Sequence, residues 1–214
     1  MLLCGGCSWN TRPVGTPGSR SGDADDDRGL VREVERLDLA AYAAVAATPT
    51  PTLDRAMAQL SSAADYSRVS FATAAGLAVL GGRRARRAAA AGLVSVAVTS
   101  AVVNIGLKPI GRRPRPERLA EEVPTGRHIP MPMSSSFPSG HSAAAFAFAG
   151  GAGREMPAAS IPLHGLAGLV AYSRVHTGVH YPLDALVGSI IGSALSQMST
   201  AAFESLRSRG TSAG

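Results

Sequence analysis

Four apolar segments fill most of the chain between residues 66 and 203, and they limit the fold more than any other feature. A helix that crosses the roughly 30 Å hydrocarbon core of a bilayer needs about 20 apolar residues. The segments cover residues 66–82, 88–107, 141–172 and 183–203. The second and fourth reach this length, the first is borderline, and the third is interrupted. The pattern predicts an all-α helical bundle embedded in a membrane.

The interruption at Arg154-Glu155-Met156-Pro157 divides the third segment into two helices, 141–153 and 157–172. The predicted core, residues 65–205, then has about five spans and is followed by a short tail at residues 206–214. Alanine and glycine are abundant in the spans, as is typical of helices that pack closely in lipid. A soluble, alanine-rich helical bundle is the alternative, and the length of the segments favours the membrane.

The first 64 residues are more polar than the rest of the chain. Residues 1–29 combine Gly, Ser, Pro and an acidic run, a composition that predicts a disordered tail. Residues 30–64 carry apolar side chains at three- and four-residue steps, which predicts an arm of two amphipathic helices interrupted at Thr48–Pro51. Cys4 and Cys7 form a single C-x-x-C pair, which without a second pair does not define a metal or redox site.

The chain has a net charge of +6, and its basic residues are concentrated in two clusters, Arg83–Arg87 and Lys108–Arg118. Each cluster adjoins an apolar segment and contains no aromatic residue, so membrane lipids and phosphate groups explain it better than nucleic acid. Positively charged loops face the cytoplasm, which places Arg83–Arg87 inside the cell. Counting spans from there puts Lys108 and residues 173–180 on the non-cytoplasmic face of the membrane.

Lys108 and Arg115 belong to a basic, proline-containing stretch at the end of the second segment. A guanidinium group binds phosphate through a planar pair of donors, and an ammonium group adds a point charge. The stretch therefore offers several cations to one dianionic group, although by itself it is equally suited to anionic lipid headgroups. Arg112 and Arg113 are expected at the entrance of such a site.

Ser139, Gly140 and His141 immediately precede the third apolar segment. The free N–H groups at the N-terminus of a helix bind phosphate oxygens, and His141 would lie in the first turn of that helix. An N-cap serine beside an incidental histidine is the alternative for so short a sequence. This motif therefore indicates a phosphate site only in combination with the others.

His180 and Asp184 are four residues apart at the start of the last segment, where Pro182 marks the first turn of a helix. A carboxylate one turn away can accept the N–H of one ring nitrogen and leave the other nitrogen as a nucleophile. Ser173 and Arg174 precede the pair and add a further cation. An ionisable residue at the start of an apolar span is costly unless it has a function, although a structural His–Asp pair is the alternative.

Together, and in this order, the three motifs resemble the signature of the type 2 phosphatidic acid phosphatase superfamily, with the general look of its actinobacterial members. The resemblance covers about residues 53–203, shows no departure at the motif positions, and leaves the N-terminal tail without a counterpart. Many membrane members have six spans, compared with about five here. The matching residues are Lys108, Arg115, Pro116, Pro138, Ser139, Gly140, His141, Ser173, Arg174, His180 and Asp184.

The resemblance implies a lipid phosphate phosphatase that works through a phosphohistidine intermediate. His180 would attack phosphorus, Asp184 would orient it, and His141 would protonate the leaving oxygen and then activate water. No cofactor or metal is expected, because cationic side chains already balance the charge. The substrate is expected to be phosphatidate-like or a polyprenyl phosphate or diphosphate. The phosphate-binding residues would be Lys108, Arg115, Ser139, Gly140 and Arg174.

Two other functions are compatible with the same anion pocket. Vanadium-dependent haloperoxidases hold vanadate on the equivalent histidine, but they are soluble and considerably larger. A non-catalytic membrane protein that binds lipid phosphate would require the His180–Asp184 pair to have no chemical role. The remaining histidines, His128, His164 and His176, are expected to pack or to border the site, and the sequence leaves the oligomeric state open.

Overall fold

The computed structural model describes the backbone of residues 21–120 and 122–211 and the side chains of residues 27–120 and 122–202. Cys4 and Cys7 lie outside the described residues. Of the described residues, those up to Leu37 belong to one compact unit and those from Asp38 onward to a second. The candidate site lies entirely in the second unit.

The described residues contain helices and no strand, which confirms the all-α fold. A π-helical segment, Val102–Leu107, continues one helix into a short one, and two 3₁₀ turns lie at Asp65–Ser67 and Thr125–Arg127. The α-helices are α1 (Ser21–Ala47), α2 (Pro51–Ala63), α3 (Arg68–Leu80), α4 (Arg83–Ala101), α5 (Lys108–Gly111), α6 (Gly140–Glu155), α7 (Pro157–His176) and α8 (Pro182–Thr211).

The N-terminal arm differs from the prediction at its start. Helix α1 begins at Ser21, within the stretch 1–29 for which a disordered tail is predicted, and the tail stays a prediction. Once a helix has nucleated, each further residue adds one backbone hydrogen bond at little cost, and this allows α1 to extend beyond its amphipathic part. Its C-terminal end at Ala47 and the start of α2 at Pro51 agree with the predicted break, because proline is favoured in the first turn of a helix.

Helix α6 lies at the centre of the second unit and packs against α4, α7 and α8. Its inward face consists of small side chains, including Ala143, Ala147 and Ala152, which are fully buried. Small residues on the neighbouring helices complete the close packing. At Gly192, for example, an added methyl group would collide with the backbone of Ala143. Such packing is expected where helices associate within lipid.

Large apolar side chains are exposed on the outside of the helices, including Leu80, Ile161 and Ile190. Two helical stretches, Arg83–Gly111 and Pro182–Ala202, are long and apolar enough to cross a membrane. They correspond to the second and fourth predicted segments. The break between α6 and α7 falls at Met156, as predicted, whereas the total number of spans stays a prediction.

Candidate active site

The three motifs come from distant parts of the chain but lie together in the structure, since Arg115 contacts His180 and the Ser139 N–H bonds to the carbonyl of Asp184. A cavity borders the first two motifs. The cavity has a volume of about 500 Å³ and is lined by Asp65, Asn104, Lys108, Gly140 and His141, among others. Lys108 follows directly on the π-helical segment that ends at Leu107. π-Helical insertions occur frequently at functional sites, where they redirect the side chains that follow.

His180 lies in the loop between α7 and α8 and is almost completely buried. Its Nδ1 is 3.6 Å from Asp184 Oδ2 and 3.4 Å from the hydroxyl of Ser136, which donates a hydrogen bond to the same carboxylate oxygen. Its Nε2 is 3.3 Å from Arg115 Nη1. One ring nitrogen therefore faces the carboxylate, and the other faces the cationic side of the site.

The burial of His180 lowers its pKa to about 4, and the neighbouring Arg115 lowers it as well, while the hydrogen bond with Asp184 opposes the shift. A histidine with this pKa is uncharged at neutral pH. The ring therefore has a free lone pair on one nitrogen, which a nucleophile requires.

Asp184 is completely buried and has a partner on each side. Besides the Ser136 hydroxyl, it accepts a hydrogen bond from the backbone N–H of Tyr181 at 2.9 Å. Its other oxygen, Oδ1, is 2.8 Å from Arg113 Nη1. These contacts fix the orientation of the carboxylate, and the guanidinium group of Arg113 places a positive charge beside it.

Arg113 bridges two carboxylates, since its Nη2 lies 2.6 Å from Asp38 Oδ2. Burial acts to lower the pKa of Arg113, but the hydrogen bonds and charges of Asp38 and Asp184 raise it above its ordinary value. The guanidinium group also lies over the ring of Tyr181, 4.1 Å from its centroid. Arg112 and Arg113 both border a groove beside Lys108, and the Arg113 guanidinium also contacts Asp184. Their placement at the entrance of the site stays a prediction.

Three cations surround the site. Arg115 donates to the carbonyl of Val179 at 2.8 Å and to that of Ser134 at 3.0 Å, and Lys108 Nζ lies 3.4 Å from the Ser134 hydroxyl. Burial lowers the pKa of Arg115, but arginine remains charged under any physiological condition. The loop that contains Ser134 therefore holds both side chains, Arg115 beside His180 and Lys108 on the side of His141.

Arg174 is completely buried and is only partly satisfied. Its Nη1 donates to the carbonyl of Ser61 at 2.8 Å and approaches Asp65 Oδ1 at 3.3 Å. Its Nε and Nη2 have no hydrogen-bond partner among the described residues. A buried donor without a partner costs free energy, so these two groups indicate the place of an anionic ligand.

The N-terminus of α6 forms another side of the site. The Ser139 hydroxyl accepts hydrogen bonds from the N–H and the hydroxyl of Ser142, and the Ser139 N–H donates to the carbonyl of Asp184 at 3.0 Å. Ser139 is thus the N-cap of α6, and its role as a direct phosphate ligand stays a prediction. Gly140 has no side chain, which leaves space for Lys108 Nζ next to the first turn.

His141 is oriented by a carboxylate that the sequence analysis missed. Its Nε2 lies 3.0 Å from Asp65 Oδ1, the same oxygen that faces Arg174. Asp65 begins the 3₁₀ turn before α3, where Tyr66 and Ser67 have positive φ angles of 55° and 58°. One signal was available, since Asp65 is the only acidic residue between positions 55 and 116 and adjoins an apolar segment.

The other histidines have packing roles, as expected. His176 is buried with Nε2 2.9 Å from Asp54 Oδ1, His164 Nδ1 lies 2.8 Å from the carbonyl of Ser160, and His128 Nε2 lies 3.0 Å from that of Val123. In the part of the chain that the structure describes, no three His, Cys, Asp or Glu residues are grouped as metal ligands.

The described residues form an all-helical fold, and its candidate site brings together two histidines, three cations and a helix N-terminus. Residues 88–207, more than half of the 214 residues, match the family model of the PAP2 superfamily, and the chain belongs to this superfamily. This confirms the resemblance based on the three motifs. A search of curated proteins found no match.

Two solved structures have the same fold. LpxE from Aquifex aeolicus is 28% identical, with a TM-score of 0.63 over 77% of this chain and 94% of that one. The transmembrane PAP2-type phosphatidylglycerolphosphate phosphatase from Bacillus subtilis is 24% identical, with a TM-score of 0.61 over 81% of this chain and 87% of that one. Two helices of this chain are long and apolar enough to cross a membrane, which favours a membrane protein.

Proposed function

We propose that the chain is a phosphatase that hydrolyses the phosphate monoester of a membrane lipid through a phosphohistidine on His180. The observation that carries the proposal is the buried Arg174 with its two unpartnered N–H groups, placed with Lys108 and Arg115 around an uncharged, oriented histidine. This combination of cations suits a phosphate dianion, because phosphoryl transfer depends mainly on positioning and on charge stabilisation.

In the first step the lone pair of His180 Nε2 attacks phosphorus, and the bond from phosphorus to the alcohol oxygen breaks. His141 gives its proton to that oxygen, so that the alcohol leaves uncharged. In the second step His141 takes a proton from water, whose oxygen attacks phosphorus and breaks the P–N bond. Inorganic phosphate is released and both histidines regain their starting state. Asp184 stabilises the charge that develops on the His180 ring in the first step.

The surroundings of His141 support a lipid as the leaving group. The cavity beside this ring is lined by Pro130, Met131 and Met133, and Ile105 is exposed close by on the π-helical segment. Apolar side chains that are exposed around a polar centre are typical of a site that takes an amphipathic ligand. The substrate class consists of phosphatidate-like lipids and of polyprenyl phosphates or diphosphates, taken up from the non-cytoplasmic side of a bundle of about five spans.

The proposal is tested by assaying the purified protein in detergent against a panel of lipid phosphates. We expect release of phosphate in the presence of EDTA, inhibition by vanadate, and no turnover by the His180→Ala variant. His164→Ala is the matched control, because this histidine lies in α7 and bonds only to Ser160 among the described residues. Turnover that requires magnesium would contradict metal independence, and normal turnover by His180→Ala would exclude the phosphohistidine.

The same experiment separates the proposal from its alternatives. A protein that only binds lipid phosphate would retain the lipid and release no phosphate at any enzyme concentration. A haloperoxidase would need vanadate for activity and would oxidise bromide with hydrogen peroxide, whereas we expect vanadate to inhibit.

A further inference from the structure

We propose that Asp38, near the end of α1, is a positioning residue for the His180–Asp184 pair and acts through Arg113. The inference rests on the proposed function. Asp38 lies outside the three motifs and outside residues 88–207, which match the family model. The proposal gives a residue of the N-terminal arm a part in catalysis.

The contacts of Asp38 lead directly to the catalytic pair. Its Oδ2 lies 2.6 Å from Arg113 Nη2, and Arg113 Nη1 lies 2.8 Å from Asp184 Oδ1. Its Oδ1 accepts a hydrogen bond from the backbone N–H of Leu183 at 2.7 Å. Leu183 is in the first turn of α8, whose N–H groups have no partner within the helix. Asp38 thus fixes both the cation behind Asp184 and the turn of the helix that contains Asp184.

Burial makes these contacts sensitive to charge. The side chain of Asp38 is 3% exposed and that of Asp184 is not exposed at all, whereas Arg113 is 22% exposed. With Asp38 present, the single positive charge of Arg113 is shared between two carboxylates. Without it, Arg113 would interact with Asp184 alone and would draw that carboxylate away from the His180 side. Breaking one arm of a buried ion-pair network is costly, because the remaining charges lose their balance.

The charge on His180 depends on groups from several elements. Asp184 on α8 and Arg115 in the loop before α6 face its ring, and Arg174 on α7 and His141 on α6 also interact with it. Of these groups, only Asp184 is in contact with the Asp38–Arg113 pair, through Arg113. Removing the negative charge of Asp38 should therefore favour the uncharged ring, and removing the positive charge of Arg113 should favour the protonated ring.

The test compares Asp38→Asn, Arg113→Met and Arg113→Lys with a control, Glu35→Gln, an exposed carboxylate on the same helix. The substrate is para-nitrophenyl phosphate, whose leaving group hardly needs protonation, so that kcat/KM reports the attack by His180. We expect Asp38→Asn to lower kcat/KM by about 10- to 100-fold, the range expected when a reacting group is misplaced by a fraction of an ångström to 1 Å. The inhibition constant for inorganic phosphate should stay within about two-fold, because Asp38 does not contact the ligand.

The pH profile gives a result that a merely structural role would not produce. The acid limb of kcat/KM should move to lower pH in Asp38→Asn and to higher pH in Arg113→Met. Arg113→Lys retains the positive charge but loses the planar guanidinium group that contacts both carboxylates, so it should lose activity as Asp38→Asn does. It therefore tests the proposal even if Asp38→Asn fails to fold. Unchanged kcat/KM in a folded Asp38→Asn or Arg113→Lys variant, or acid limbs that move together, would overturn the proposal. If the proposed function itself were wrong, the wild-type protein would show no turnover, and this result differs from every outcome that concerns Asp38.

Discussion

At the scale of single residues, the two histidines are held differently, which is consistent with the separate roles proposed for them. His180 faces Asp184 through one nitrogen and Arg115 through the other, whereas His141 faces Asp65 and the cavity in which the alcohol would lie. We expect His141→Ala to slow hydrolysis of an alkyl phosphate such as phosphatidate by roughly 100- to 10,000-fold, the usual contribution of a general acid. Its effect on para-nitrophenyl phosphate should be much smaller, because nitrophenolate leaves without a proton.

The measurement is a comparison of kcat/KM for both substrates in both proteins. His176→Ala is a useful control, since this buried histidine bonds to Asp54 away from the reacting groups. Equal losses on the two substrates would show that His141 is not the acid.

At the scale of helices, the site depends on how closely α8 approaches the N-terminus of α6. Gly188 lies against the backbone of Ser139, and a methyl group there would collide with the Ser139 carbonyl. The backbone hydrogen bond between Ser139 and Asp184 holds the same two helices together. We expect Gly188→Ala to lower the free energy of unfolding by about 1–3 kcal/mol, the usual cost of overpacking, and to reduce activity.

Gly165→Ala is the matched control, because a methyl group at this position in α7 has no atom within 4 Å. Alanine stabilises a helix relative to glycine by roughly 1 kcal/mol, so this variant should be as stable as the wild type or more stable. Thermal unfolding in detergent measures both. Equal stability of the two variants would contradict the close approach of Gly188 to the backbone of Ser139.

At the scale of the whole molecule, the apolar surface and the basic loop before α4 predict an orientation. In a variant with Cys4 and Cys7 replaced by serine, a single cysteine is introduced at Leu119 or at Gly82. Leu119 is 87% exposed in the loop that precedes α6, and Gly82 is exposed between α3 and α4. An impermeant maleimide should label Leu119→Cys in intact cells and Gly82→Cys only after permeabilisation, because positive loops stay in the cytoplasm. The opposite labelling would reverse the topology, and recovery of the protein in the soluble fraction would contradict a membrane location.

Local patterns in the sequence were sufficient to predict most of the helices and to select the residues that the structure brings together in the candidate site. Apolar length predicted α4 and α8, and the proline-containing stretches Thr48–Pro51 and Arg154–Pro157 predicted the breaks after α1 and α6, because these signals act between neighbouring residues. The same holds for the motif residues, which were identified from the chemistry and spacing of neighbouring side chains: Lys108, Arg115, His141, Arg174 and His180. Their chemistry and spacing are visible without knowledge of the fold.

Only the tertiary structure decided which side chains support that chemistry. Asp38 meets Leu183 across 145 positions, Asp65 meets His141 across 76, and Ser136 meets Asp184 across 48. The position of a carboxylate along the chain carries no information about contacts at such separations, because they depend on how whole helices pack. The sequence by itself therefore determined most of the helices and the groups that are proposed to react, whereas the packing of α6 and α8 and the contacts of Asp38 decided how those groups are oriented.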